Sequence, residues 1–199
     1  MSYRAIPFTG VLPSAIGLML IGLTISVFYQ PWSWTGALGM QAIPLGVVFG
    51  ALLYLFMFCL SVSRFMRIES IHSLSLMLHQ LFKHFTWTHI IIISVLAGIG
   101  EEVLIRGALQ SFLVSSSSPL IGIIVTSFIF GLLHCVTKIY VLVTFLLGLV
   151  FAVVFYITDS MILVMLGHVV YDIFAFSMIV KFPHKLGLVL PEKAITTID

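Results

Sequence analysis

Residues 89–113 read HIIIISVLAGIGEEVLIRGALQSFL and place three charged side chains in an otherwise apolar run. The run is long enough to cross a bilayer as a helix, which takes roughly 20 apolar residues. A charged side chain at the centre of a bilayer costs at least about 2.5–3.5 kcal/mol. Since chemistry or ion binding is the usual reason for accepting that cost, Glu101, Glu102 and Arg106 are the first candidates for function.

The composition of the whole chain is that of an integral membrane protein. Of the 199 residues, 61% are hydrophobic and 8% are charged, and the mean hydropathy is +1.23. Soluble domains carry about 25% charged residues, so this chain cannot solvate its own surface in water. We expect residues 1–199 to form a single membrane domain, with the lipid bilayer as its environment and with no nucleic-acid partner.

The apolar runs predict an all-α fold, a polytopic transmembrane helical bundle of about six spans. The predicted spans are approximately residues 11–29, 43–63, 89–113, 119–136, 139–158 and 160–180. The first run is not followed by a small-residue cleavage site, so we expect a retained span and not a secretory signal. Gly46 and Gly50 form a small-residue step that favours close packing of the second span against a neighbour.

The link between the second and third spans, residues 64–88, is predicted to be a cytoplasmic amphipathic helix. Apolar residues recur there at steps of three and four, namely Ile71, Leu74, Leu78, Leu81 and Phe85. We expect the helix to lie in the membrane interface or to pack against the bundle. Its histidines, such as His72 and His79, are expected at the surface.

Basic residues are distributed unevenly between the two sides of the predicted bundle. All eight Lys and Arg residues outside the spans fall on one side, and none lies in the loops after the first, third or fifth span. The positive-inside rule then places both termini in the cytoplasm.

The remaining ionisable residues of the spans are His134 on the fourth and His168 and Asp172 on the sixth. Residues four apart share a helix face, so Glu102 is expected to pair with Arg106, and His168 with Asp172. Glu101 is rotated by about 100° from Glu102. It is therefore left without a partner on its own helix, and the two histidines are its expected neighbours across the bundle.

Several functions suit this set of residues. A buried Glu101 can act as a general base for water, while the histidines hold that water or stabilise an oxyanion. Alternatively, Glu101, His134 and His168 can bind a divalent metal such as zinc that activates the water. A proton- or cation-coupled transporter collects similar groups, and a catalytically silent scaffold of the same fold is a further alternative.

The order and separation of these motifs resemble those of the CPBP intramembrane proteases, also called the CAAX protease and bacteriocin-processing or Abi family. The family includes the type II CAAX prenyl endopeptidases. Three motifs carry the resemblance, Glu101-Glu102-x-x-x-Arg106, Phe130-x-x-x-His134 and His168-x-x-x-Asp172. It implies a protease-like core over about residues 90–180 and cleavage of a membrane-associated protein or peptide precursor.

The resemblance also implies roles for individual residues. Glu101 is then the residue that activates water, and His134 is its partner in holding that water. His168 and Asp172 line the oxyanion side, and Glu102 and Arg106 support the site. Members of the family are often called metalloproteases, yet a metal-free glutamate mechanism is also proposed for them, so no metal is assigned.

Asp172 departs from the prenyl endopeptidases, which have Asn at this position. An ionised Asp cannot donate a hydrogen bond to an oxyanion. Either Asp172 is protonated, or it orients His168 and leaves the oxyanion to other groups. The small size and short loops favour a bacterial protein of the inner membrane.

The end of the fourth span constrains where the site can lie. His134 is close to the predicted cytoplasmic end of that span, so we expect a cavity towards the cytoplasmic side. A distance above about 8 Å between Glu101 and His134 with no room for a bridging water would refute a shared site.

Overall fold

The computed structural model describes residues 4–29, 32–62 and 69–188. Over these ranges the predicted all-α, polytopic bundle is confirmed. The helices are α1 (Phe8–Phe28), α2 (Ala42–Val62), α3 (Glu69–Phe82), α4 (Trp87–Glu102), α5 (Ser111–Ser116), α6 (Pro119–Leu133), α7 (Lys138–Thr158) and α8 (Met161–Lys181). A π-helical segment, Val103–Gln110, joins α4 to α5, and short 3₁₀ helices lie at Gly36–Gln41 and Pro183–Leu186.

Five of the helical stretches in the described ranges are long and apolar enough to cross a membrane, and α6 is a shorter apolar helix. The third stretch runs without interruption from Trp87 to Ser116. In contrast, α6 has 15 residues, or about 22 Å of helix. The prediction that the fourth span reaches residue 136 is wrong, because the backbone leaves the helical conformation at His134 (φ −98°, ψ 26°).

Short turns with helix-capping side chains connect the last three helices. The Ser118 hydroxyl accepts a hydrogen bond from the Ile121 amide at the start of α6, and the Ser160 hydroxyl accepts one from the Leu163 amide at the start of α8. These caps satisfy amide groups that have no partner within the helix. The helices α6, α7 and α8 therefore follow one another with little intervening chain.

Glycines allow α4 and α2 to approach their neighbours closely. A Cβ atom on Gly100 would lie 2.7 Å from the backbone nitrogen of Met19 on α1, and one on Gly98 would lie 2.9 Å from that of Val169 on α8. The helix that carries the glutamates is thus held between α1 and α8. In the same way, Gly46 and Gly50 of α2 face the α8 backbone, which confirms the predicted close packing.

The amphipathic helix α3 packs against the bundle. Leu74 and Met77 are buried, and His79 is also buried, with its Nδ1 donating to the carbonyl oxygen of Ile179 on α8 at 2.8 Å. The prediction that His79 lies at the surface is therefore wrong, because this hydrogen bond holds its ring inside. The beginning of the predicted segment, residues 64–68, lies outside the described residues.

Candidate active site

A cavity of about 570 Å³ lies in the bundle between α3, α4, α6, α7 and α8. Its wall includes four of the six candidate residues, Glu101, His134, His168 and Asp172. Leu78 of α3 also lines it, so the cavity lies at the end of the bundle that the sequence assigns to the cytoplasm. Most of the other lining side chains are apolar, and Glu102 and Arg106 are absent from the wall.

Glu101 and His134 face each other across this cavity. The Glu101 Oε2 and the His134 Nε2 are 3.8 Å apart, and the side chains are 17% and 24% exposed. This distance is well inside the 8 Å limit, so the two residues share a site. The end of α6 at His134 makes the meeting possible, because the imidazole leaves the helix and turns towards α4.

A hydrogen bond fixes the orientation of the His134 ring. Its Nδ1 lies 2.9 Å from the carbonyl oxygen of Phe130. A carbonyl oxygen only accepts hydrogen bonds, so Nδ1 carries the hydrogen. In the neutral ring the Nε2 that faces Glu101 is consequently the one with a free lone pair.

Glu102 lies behind the cavity and is fully buried. Its Oε2 is 3.4 Å from the Nε of Arg106, which confirms the predicted pair on one helix face. Its Oε1 accepts a hydrogen bond of 2.8 Å from the Nδ1 of His168. The sequence predicted His168 as a neighbour of Glu101 and did not predict its contact with Glu102. Only the packing of α8 on α4 decides which carboxylate His168 contacts.

The π-helical segment carries two buried polar side chains that bind carbonyl groups of α7. The Nη2 of Arg106 donates to the Gly148 oxygen at 3.3 Å, and the Nε2 of Gln110 donates to the Ala152 oxygen at 2.8 Å. The Arg106 guanidinium also lies over the Phe130 ring, 4.9 Å from its centroid. Segments of this type are frequent at functional sites. Sequence reasoning missed Gln110, although its spacing of four from Arg106 was a usable signal.

Asp172 lies on the far side of the His168 ring. The His168 Nε2 is 3.5 Å from the Asp172 Oδ2, which confirms the predicted pair along α8. Both ring nitrogens of His168 therefore face carboxylates, one from Glu102 and one from Asp172.

This arrangement does not fit the zinc site that the sequence left open. Each ring nitrogen of His168 lies next to a carboxylate, with Glu102 at Nδ1 and Asp172 at Nε2. Within residues 4–29, 32–62 and 69–188 no group of three His, Cys, Asp or Glu side chains is arranged to hold a metal ion.

Two tyrosines on the cavity wall were not predicted. Tyr140, in the first turns of α7, presents its ring edge-on to His134, with centroids 5.8 Å apart and an interplanar angle of 89°. Tyr171, on α8, also lines the cavity. The position of Tyr140 six residues after His134 was the available signal, but only the turn between α6 and α7 brings the two rings together.

The fold and this cavity define an integral membrane protein whose interior holds a carboxylate–histidine pair of the kind found in hydrolases. Residues 83–174 match the family described as type II CAAX prenyl endopeptidase Rce1-like. This segment holds all six candidate residues, and the match supports a protease of the CAAX/CPBP family.

Searches of curated proteins and of solved structures gave no match to the chain. The family match implies a CAAX-type intramembrane protease with a peptide substrate in a lipid environment.

Proposed function

We propose that this protein is an intramembrane endopeptidase in which Glu101 activates a water molecule that His134 helps to hold. The observation that carries the proposal is the 3.8 Å separation of the Glu101 Oε2 and the His134 Nε2 at the cavity wall. Two acceptors that share one water, each about 2.8 Å from its oxygen, can be up to roughly 5.6 Å apart. The observed separation lies within the range that one bridging water can span.

The orientation of the His134 ring supports this role. Its Nδ1 is occupied by the Phe130 carbonyl, so Nε2 can accept one hydrogen of the water while Glu101 accepts the other. The water oxygen then keeps a lone pair directed away from both groups, towards a substrate carbonyl. Glu101 takes a proton as the oxygen adds to the carbonyl carbon, and it returns that proton to the amine when the C–N bond breaks.

The lining of the cavity supports an apolar substrate segment. Beyond the charged groups, the wall is made largely of aliphatic and aromatic side chains contributed by α3, α6, α7 and α8. We propose that the substrate is a membrane-associated protein or a peptide precursor. We propose that the protein lies in the inner (plasma) membrane of a bacterium, with both termini on the cytoplasmic side. The proposed mechanism requires no cofactor.

The test uses the full chain in lipid nanodiscs and two fluorescence-quenched peptides that end in a CAAX sequence. One peptide is farnesylated at the cysteine and the other is not. Cleavage in ¹⁸O-labelled water should place one ¹⁸O atom in the new carboxyl terminus, read by mass spectrometry. We expect Glu101→Gln to lower the rate by about 10²–10⁴, the usual contribution of a general base. His134→Ala should also lower it, because the water loses one of its two acceptors.

Glu69→Gln is the matched control, since Glu69 begins α3 and is exposed away from the cavity. This variant should cleave at the wild-type rate. A Glu101→Gln protein that keeps its fold and the full cleavage rate would contradict the proposal.

A further inference from the structure

The proposed hydrolysis develops negative charge on the substrate carbonyl oxygen, and that oxygen needs hydrogen-bond donors. The groups expected on this side of the site are poor donors as the structure arranges them. The Nδ1 of His168 is used by Glu102, and its Nε2 faces Asp172. An ionised Asp172 only accepts hydrogen bonds, and Arg106 is fully buried behind the cavity.

Three side chains of the cavity wall carry hydroxyl groups that could donate a hydrogen bond to this oxygen, namely Tyr140, Thr144 and Tyr171. Thr144 is not available, because its hydroxyl donates to the backbone oxygen of Tyr140 at 2.8 Å. The hydroxyls of Tyr140 and Tyr171 make no hydrogen bond to any residue in the described part of the chain. A phenol is a good donor and keeps its proton at neutral pH.

Position separates the two tyrosines. The Tyr140 ring contacts His134 edge-on, and Tyr140 lines the same cavity as Glu101 and Asp172. In the described part of the chain, the aromatic rings in contact with His134 are those of Phe130 and Tyr140 and not that of Tyr171. Tyr140 is thus the tyrosine beside the Glu101–His134 pair.

We propose that Tyr140 is a catalytic residue whose hydroxyl donates a hydrogen bond to the oxyanion of the tetrahedral intermediate. The proposal rests on the proposed function. It also assigns a task to Tyr140 that Asp172, standing where the prenyl endopeptidases have Asn, cannot perform as a carboxylate.

The step balances without any further reactant. Glu101 removes one proton from water, the water oxygen bonds to the carbonyl carbon, and the π electrons of the C=O bond move to its oxygen. Tyr140 donates a hydrogen bond to that oxygen and keeps its proton. When the carbonyl re-forms, the C–N bond breaks and the amine leaves with the proton held by Glu101.

The test compares Tyr140→Phe with Tyr156→Phe in the nanodisc assay with the two CAAX peptides. Tyr140→Phe removes only the hydroxyl and keeps the ring against His134. We expect kcat to fall by about 10²–10³, the usual effect of losing one oxyanion donor, with little change in KM. Tyr156→Phe, the matched control, should stay within about threefold of the wild type, because Tyr156 is exposed on α7 and does not line the cavity.

A second measurement separates an oxyanion donor from a tyrosine that merely shapes the cavity. A phosphonate analogue of the peptide, which mimics the tetrahedral intermediate, should bind Tyr140→Phe more weakly by the same factor by which kcat/KM falls. Affinity for the uncleaved peptide, measured on a Glu101→Gln background, should not change. A loss of affinity for both ligands would overturn the proposal, since it would indicate a general packing role.

The outcomes distinguish this proposal from the function on which it rests. Full activity of Tyr140→Phe beside an inactive Glu101→Gln overturns the role of Tyr140 and leaves the endopeptidase standing. Undiminished cleavage in both variants overturns both. If Tyr140→Phe is poorly folded, 3-fluorotyrosine at position 140 provides a second test, because it retains the hydroxyl. A cleavage rate that falls with this analogue would count against Tyr140 as the oxyanion donor.

Discussion

The two adjacent glutamates should respond in opposite ways to the same substitution. Glu102 is fully buried between Arg106 and His168, with contacts of 3.4 Å and 2.8 Å. Glu102→Ala leaves a buried guanidinium and a buried ring N–H without their acceptor. Removing one partner of a buried ion pair costs about 3–5 kcal/mol, so we expect the free energy of unfolding to fall by about that amount.

Glu101→Ala should leave stability almost unchanged. Glu101 borders the cavity, and its closest ionisable partner is His134 at 3.8 Å, in a contact that is partly exposed. The Glu101 Oε2 is buried without a hydrogen-bond partner in the described residues, so removing the carboxylate relieves a desolvation cost as well as losing an attraction. The variant should lose cleavage while its free energy of unfolding stays within about 1 kcal/mol of the wild type.

Reversible unfolding in bilayers, monitored by steric trapping, measures the free energies of unfolding of both variants under the same conditions. A third variant, Glu102→Met with Arg106→Met, removes both charges and should be more stable than Glu102→Ala, since no unpaired guanidinium remains. A Glu102→Ala protein as stable as Glu101→Ala would contradict a buried Glu102–Arg106 ion pair. A double substitution no more stable than Glu102→Ala would contradict it as well.

Two further predictions concern packing. Gly50→Ala should destabilise the protein by about 1–3 kcal/mol, because its Cβ would overlap the backbone oxygen of Gly167. Gly17→Ala is the control, since a Cβ there meets nothing within 4 Å and should be neutral. Thermal unfolding in detergent compares the two variants, and equal midpoints would count against the close contact of α2 with α8. His79→Ala should lower the free energy of unfolding by about 1–3 kcal/mol, since it leaves a carbonyl of α8 without its donor. His72→Ala, at an exposed position of the same helix, is the control. Indistinguishable unfolding curves for the two variants would argue against packing of α3 on the bundle.

Much of the fold could be predicted from composition and periodicity alone. Apolar runs of sufficient length can only be helices in a bilayer, because every backbone polar group must find its partner within the segment. The length of α6 could not be read in this way. Its apolar character continues to Val136, but a hydrogen bond from the His134 ring to Phe130 and the turn before α7 end the helix at Leu133.

The site was predictable as far as residues on one helix are concerned. The pairs Glu102–Arg106 and His168–Asp172 follow from a spacing of four, and the rotation between Glu101 and Glu102 follows from the helix geometry. Contacts across the bundle do not follow from spacing, since they depend on how each helix is turned about its axis. For this reason the sequence did not predict the contact of His168 with Glu102 or the position of Tyr140 beside His134.

The sequence by itself determined that this chain lies in a membrane, that its charges gather on three helices, and that the two glutamates point in different directions. Only the tertiary structure decided their neighbours. Glycines let α4 pack tightly between α1 and α8, and this rotation brings Glu102 to His168 and leaves Glu101 facing the cavity and His134. Helical periodicity fixes directions within one helix, whereas the partner of each side chain is set by the packing of several helices at once.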